Sequence, residues 1–277
     1  MVKRVAIVSR HDEPDAIQLA GRIQNHLESN PAINEVILDH DTASELGTTG
    51  TPIEELQADL LIIIGGDGTI LRTIQKLKKQ TPILGVNFGR VGFLADATSE
   101  NALVMINEVL ADFKVETRMR LAIHINGEYL PCATNEAAIV TTSHITTSPA
   151  KMFAFRILVD GHELDELRAD GIVIATPTGS TAYAMSAGGP IVDPRVEGTI
   201  IVPLAPYKLS SRPWIVCANS EITVKPIHTS DGATIVIDGQ YTQPIRAGDT
   251  ITITSANKPA LFVKTKWQFY ERVRIKL

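Results

Sequence analysis

Leu60-Leu61-Ile62-Ile63-Ile64-Gly65-Gly66-Asp67-Gly68-Thr69 decides how this chain folds. The aliphatic run carries no charge, and a strand apolar on both faces belongs inside a parallel sheet. Glycines stop it abruptly. One carboxylate follows between glycines, and a helical pattern begins, with Ile70, Ile74 and Leu77 on one face. Glycine lets backbone approach a polyphosphate with no Cβ in the way. The helix N-terminus adds unpaired N–H donors and partial positive charge. The stretch thus offers N–H groups and one acid, Asp67, to something small and anionic. No Gly-Lys-Ser/Thr follows, so it is not a Walker A loop. The Gly-x-Gly-x-x-Gly dinucleotide spacing is absent too. An isolated Asp before a helix reads first as its cap, but a cap needs no glycines around it. Arg72 lies one turn further on and is placed to reach a phosphate, although alone it would read as a surface arginine.

Working outward, Val5–Val8 reads as a strand, Pro14–Asn30 as a helix ended by Asn30-Pro31, and Glu35–Leu38 as a second strand. That βαβ order implies a parallel sheet. Residues 39–58 are polar and read as a loop with a short helix at Ile53–Gln57. After the helix that follows Thr69, Lys76, Lys78 and Lys79 crowd the C-terminal turn, where the dipole favours cations. Ile83–Val86 returns as a strand, Gly89–Asp96 forms another glycine loop, and Asn101–Leu110 reads as a helix. The Asp67 loop therefore sits at the carboxyl end of a parallel strand, where open α/β sheets bind ligands.

Near Lys114 the pattern changes to short strands separated by turn signals such as Asn126-Gly127, Asp160-Gly161 and Asp238-Gly239. The expected organisation is an α/β domain over residues 1–113, a β-rich domain over 114–261 and a tail over 262–277. The tail's Lys264, Lys266, Arg272, Arg274 and Lys276 read as a solvated edge rather than a nucleic-acid patch. A net charge of −5 gives no global field for nucleic acid. Cys132 and Cys217 lack metal-ligand spacing and read as free buried thiols of a reducing cytoplasm. Met1–Val8 starts a strand and is too short for a signal peptide, and no apolar run approaches the ~18 residues of a membrane span.

Two further stretches carry chemistry. From Arg168 to Pro190 a charged pair, Arg168 and Asp170, flanks an apolar strand. Thr176-Pro177-Thr178-Gly179 turns it, and a helix of small residues spans Thr181–Ala187. Small side chains there, Thr181, Ala182 and Ser186 among them, admit a ligand closely, and Tyr183 can stack on a base. Asn135-Glu136 stands at the lip of the strand Ala137–Val140. An Asn amide can donate to and accept from an adenine edge, and Glu136 can accept from ribose hydroxyls. As a bare dipeptide, however, the pair reads first as a surface turn.

These stretches, with Leu209-Ser210-Ser211-Arg212-Pro213 and Asp238-Gly239-Gln240, resemble the bacterial NAD kinases. The first loop is shared with lipid kinases and phosphofructokinases; the Thr-Pro-Thr-Gly-Ser-Thr-Ala-Tyr run with Asn-Glu upstream is specific. The resemblance implies a Rossmann-like α/β domain, of the kind shared with diacylglycerol kinases, and a β-rich domain. It implies an active site between them, completed by neighbouring subunits of a dimer or tetramer, and a tail returning to the first domain. It makes Asp67 the base for the adenosine 2′-hydroxyl of NAD as the γ-phosphoryl group of ATP, or of polyphosphate in its place, arrives. Gly68, Arg72, Asn135, Glu136, Arg168, Asp170, Thr181, Ala182, Tyr183, Ser186, Ala205 and Gln240 would hold the NAD, and Gly65, Gly66, Gly68 and Thr69 would face phosphates. A divalent metal, Mg²⁺, would ride on the donor phosphates. Arg90-Val91 and Pro206-Tyr207-Lys208 depart from the common pattern. A lipid or sugar kinase and a non-catalytic dinucleotide-binding regulator stay open as rival readings.

Overall fold

The computed structural model describes residues 2–88, 92–141, 153–228, 232–265 and 269–277. Gly89, Arg90, Val91 and Lys266 fall outside them. The chain begins β1 (Arg4–Ser9), α1 (Pro14–Glu28), β2 (Glu35–Leu38), α2 (His40–Glu45), β3 (Leu60–Ile64), α3 (Asp67–Lys76), β4 (Ile83–Asn87), β5 (Ala97–Thr98), α4 (Ala102–Ala111) and β6 (Lys114–Arg118). It continues β7 (Leu121–Ile125), β8 (Glu128–Ala133), β9 (Glu136–Thr141), β10 (Phe153–Val159), β11 (His162–Ala169), β12 (Gly171–Ala175) and α5 (Tyr183–Ser186). Then come β13 (Gly198–Leu204), β14 (Trp214–Cys217), β15 (Ile222–His228), β16 (Ala233–Ile237), β17 (Tyr241–Ile245) and β18 (Ile251–Ser255). β19 (Ala260–Lys264) and α6 (Phe269–Lys276) end it. Two compact units result: Met1–Thr117 with Ala260–Leu277, and Arg118–Pro259.

In the first unit the strands run β2-β1-β3-β4-β19-β6, with β5 beside β4. Every pairing from β2 to β19 along that order is parallel. Alternation along β3 explains its unbroken apolarity. Ile62 and Ile64 face a core built with Leu19, Ile23 and Ile106 of α1 and α4, while Leu61 and Ile63 face Ile70 and Ile74 of α3. Each fully buried aliphatic side chain contributes roughly 1.5–3 kcal/mol, and β3 makes that contribution on both of its faces.

The second unit is a β-sandwich. One sheet runs β11-β10-β15-β18-β7-β8 and the other β14-β13-β12-β9-β16-β17. Ile123, Phe155, Ile139, Ile172 and Ile235 meet in the core between them. The other face of the second sheet carries Ala138, Val173, Ala175 and Val202, with Ala184 of α5 packed on them.

Several local expectations need correction. The polar segment after β2 forms α2, started by Asp39, whose carboxylate accepts the Asp41 N–H at 3.2 Å. Residues 53–57 supply only a single 3-10 turn, Ile53–Glu55. The predicted helix Thr181–Ala187 is a 3-10 turn, Thr178–Thr181, followed by the one-turn α5, because Ala182 takes a non-helical conformation between them.

Candidate active site

Asp67 is the first residue of α3 and Gly66 is its cap position, with no side chain capping the helix. The Asp67 carboxylate turns instead to a neighbouring loop. It accepts the Phe93 N–H at 2.7 Å on Oδ2 and the Leu94 N–H at 3.0 Å on Oδ1. Gly92 stands against that carboxylate so closely that a Cβ would overlap it. The acid is thus fixed by two charge-assisted backbone bonds, yet keeps lone pairs for another donor. The faces of Gly66 and Gly68 open on space, with nothing within 4 Å of where a Cβ would stand. Gly65 is buried at the strand end, while Thr69 and Arg72 are half-buried on α3.

In the second unit the turn before β9 is gripped by Asp238. Its carboxylate accepts N–H groups from Thr134, Asn135 and Glu136 at 2.7, 2.8 and 3.0 Å. Asn135 and Glu136 are therefore not a surface turn: they are only 7% and 8% exposed. The burial follows from a second clamp. Thr176 Oγ1 donates to the Thr134 carbonyl at 2.6 Å and its N–H to the Asn135 carbonyl at 2.8 Å. Gly179 packs where a Cβ would collide with that same Asn135 carbonyl.

With the backbone so held, Thr134 Oγ1, Asn135 Oδ1 and Glu136 Oε2 are buried without a protein partner. Buried polar atoms of native proteins are normally satisfied, so these await a ligand or water. Burial, and then the nearby charge of Asp238, pushes the Glu136 carboxyl up to about 7, against a backbone hydrogen bond from Tyr183. Burial also raises Asp238, while its backbone donors and Arg120 pull it back.

A cavity of about 590 Å³ lies in the same unit, lined by Val140, Thr141, Asp170, Tyr183, Ser186 and Ala205 among others. Ala205 takes the left-handed conformation (φ 43°) at its rim, a geometry that costs an L residue on the order of 1 kcal/mol. Register places the cavity at the far end of β9: Gly171 pairs with Val140, and Ala175 with Glu136. Along an extended strand, Glu136 and Val140 lie roughly 13 Å apart. Tyr183 belongs to both ends, since its N–H reaches Glu136 and its side chain lines the cavity.

Other residues singled out in the sequence stand apart from the cavity lining. Arg168 is exposed on β11, with its carbonyl accepting the Tyr207 N–H at 2.9 Å. Thr181 is buried and turns its hydroxyl to the Thr178 carbonyl. Ala182 is half-buried, and Gln240 is exposed in the turn after β16. Tyr207 is 75% exposed. Among the described residues, no three His, Cys, Asp or Glu side chains gather as a metal site.

Sequence reasoning missed Asp238 as a structural anchor, since Asp-Gly in a hairpin is an ordinary turn signal. It also misjudged Arg272. Read as solvated, that side chain is 12% exposed and paired with Asp96, because α6 packs against the loop that holds Asp67.

Comparison with known proteins gives a consistent picture. The ATP-NAD kinase N-terminal domain matches residues 5–113 and the ATP-NAD kinase C-terminal domain residues 134–265. The NAD kinase of Methanoregula boonei is 48% identical over 98% of this chain and 97% of its own. That of Methanosarcina mazei is 46% identical over 100% of this chain and 94% of its own. Among solved structures, yeast NADH kinase complexed with NADH superposes with a TM-score of 0.89 at 28% identity, covering 100% of this chain and 87% of that one. An NAD kinase from Archaeoglobus fulgidus in complex with ATP gives 0.78 at 34% identity, over 98% and 97%. The lineage suggested by the motifs is corrected here: these sequence relatives are archaeal, not bacterial. Site motifs are set by the chemistry and carry little record of descent.

Proposed function

This chain belongs to the NAD kinase family, and we propose that it moves the γ-phosphoryl group of ATP onto the adenosine 2′-hydroxyl of NAD, giving NADP. The observation that carries the acceptor assignment is the set of unpartnered buried atoms on Thr134, Asn135 and Glu136. They offer both hydrogen-bonding senses to a base and ribose. The cavity further along β9 extends that polar focus into a site for an elongated ligand, as a dinucleotide is. Asp170, Tyr183, Ser186 and Ala205 serve it from the cavity, and Arg168, Thr181, Ala182 and Gln240 from nearby segments of the same unit.

The first unit supplies the acid and the phosphate loop. Phosphoryl transfer has a loose transition state, so positioning and charge neutralisation dominate its catalysis. Asp67 is a weak base toward a hydroxyl. It orients the 2′-OH by accepting its hydrogen bond, and takes the proton as the new P–O bond forms. Gly66 and Gly68 present open backbone to the incoming phosphates, flanked by Gly65 and Thr69, whose own N–H groups are spent on the Val86 and Gly66 carbonyls, with Arg72 as added positive charge. A divalent ion, Mg²⁺, neutralises donor charge when bound. Such an ion keeps mostly phosphate and water ligands and asks few of the protein.

The reaction belongs in the cytoplasm, a reading supported by two free cysteines; no helix among the described residues is long and apolar enough to cross a membrane. Assembly into a homo-oligomer is supported by Trp214 and Ile215, half-exposed on the edge strand β14. One assay tests the function: ATP, Mg²⁺ and NAD, with NADP read by an NADP-specific dehydrogenase. NADP formation is expected. Binding of NAD without turnover would make the chain a regulator, and phosphorylation of diacylglycerol or fructose 6-phosphate alone would make it a lipid or sugar kinase. Parallel reactions with polyphosphate and with NADH define donor and acceptor range.

A further inference from the structure

The helix α6 meets the loop that holds Asp67, and both belong to the first unit. Arg272 donates from Nη1 to the Phe93 carbonyl at 2.7 Å, and its Nη2 pairs with Asp96. Both side chains of that ion pair are shielded, at 12% and 6% exposure. One turn on, Lys276 sets its ammonium 4.0 Å from the centre of the Phe93 ring, a cation–π contact. The loop is also tied to the sheet, where the Asp96 N–H reaches the Gly85 carbonyl of β4 at 3.0 Å. Arg272 therefore fastens both ends of the segment Phe93–Asp96. Phe93 and Leu94, inside or at the edge of that segment, are the residues whose N–H groups hold the Asp67 carboxylate.

We propose that Arg272 is a positioning residue for the phosphoryl transfer, acting on Asp67 through the Phe93–Leu94 backbone. A guanidinium suits the task. Its planar fork reaches a carbonyl and a carboxylate at once, which an ammonium cannot do in the same geometry. Burial lowers the pKa of both Arg272 and Lys276, while the Asp67 charge favours their cationic forms. The acid and the two cations thus form one electrostatic group around a single loop. Releasing the loop leaves Asp67 intact but lets its carboxylate rotate away from the hydroxyl it must orient, and displacement of that size costs roughly 10–100-fold in rate.

The inference rests on the assignment of Asp67 to catalysis, so the test is a double-mutant cycle. Turnover and both KM values are measured for Arg272→Ala, Asp67→Asn and the double variant. Arg272→Ala is expected to lower kcat roughly 10–100-fold with KM for NAD within about twofold. In the Asp67→Asn background the same change is expected to cost little more, since the group it positions is gone. Equal loss in both backgrounds would overturn the proposal, because Arg272 would then act on the phosphates or on the fold. Near-normal turnover of Asp67→Asn alone would instead remove the catalytic assignment on which it rests. If Arg272→Ala fails to fold, Arg272→Lys keeps the charge without the two-ended fork; retention of full kcat in that variant overturns the proposal. Guanidinium chloride at low millimolar concentration is expected to restore part of the Arg272→Ala turnover, and failure to rescue a folded Arg272→Ala would count against it.

Discussion

Glu136→Gln separates the electrostatic cost of the proposed acceptor site from its shape. The substitution keeps the length of the side chain and removes its charge. In the folded protein the Glu136 carboxyl holds its proton to about pH 7, against a usual 4.5; that gap corresponds to ~3 kcal/mol. The unfolded chain releases the proton near 4.5, so between the two values the native state binds more protons and stability falls as pH rises. The contribution is fully present below about pH 4.5 and lost above about pH 7. Gln, neutral throughout, lacks this slope. Asp238 titrates in both proteins and its charge acts on Glu136, so the difference reads the coupled pair rather than Glu136 alone. Urea unfolding from pH 5 to 8.5 is the assay. The variant's advantage over the native chain is expected to grow by ~2.5 kcal/mol from the acid end to the alkaline end. A difference independent of pH, or one growing toward acid, would refute the buried protonated state and with it the account of Glu136 as a desolvated, ligand-facing group.

Three further outcomes follow from the geometry. Asp67→Asn can keep only one of the two N–H bonds and places an amide donor against the other; kcat is expected to fall roughly 10²–10⁴-fold with NAD affinity kept, and near-normal turnover would remove Asp67 from the mechanism. Gly92→Ala drives a methyl into the Asp67 carboxylate, so a kcat loss on the order of 10²-fold is expected at unchanged NAD KM, and wild-type kinetics would contradict the contact. Asp170→Ala strips a carboxylate from the cavity lining, which is expected to raise the NAD KM roughly tenfold or more; titration calorimetry showing unaltered affinity would place the ligand elsewhere.

Much of the fold is legible because its strands announce themselves. Leu60–Ile64 and Gly171–Ala175 are wholly buried in the structure, and unbroken apolar runs ended by glycine or threonine say as much. Two of the strands that escape are polar for a reason. β11 reads His-Glu-Leu-Asp-Glu-Leu-Arg-Ala and lies at a sheet edge, where charges discourage pairing with another chain. β17 carries Pro244 and is also an edge. Part of the site is equally legible: the Asp67 loop is local, and its glycines show it. The rest depends on contacts between distant segments. Asp238 reaches back to Thr134, and Arg272 to Asp96, and neither pairing leaves a periodic trace. Asn135 and Glu136 look like an exposed turn in isolation; only the Thr176 and Gly179 clamp reveals that they are roofed over.

One topological detail bears on how the protein is made. β19 inserts into the parallel sheet between β4 and β6, and Phe262 pairs with Ile83. On the ribosome, both flanking strands emerge early and then wait while Arg118–Pro259 is translated, a delay on the order of 10 s. During that interval the nascent sheet carries an open slot whose unpaired edge can recruit another chain. The sandwich can complete itself first, and the half that carries Asp67 closes only when β19 arrives. Chaperone demand should therefore concentrate on the half that is synthesised first yet finished last.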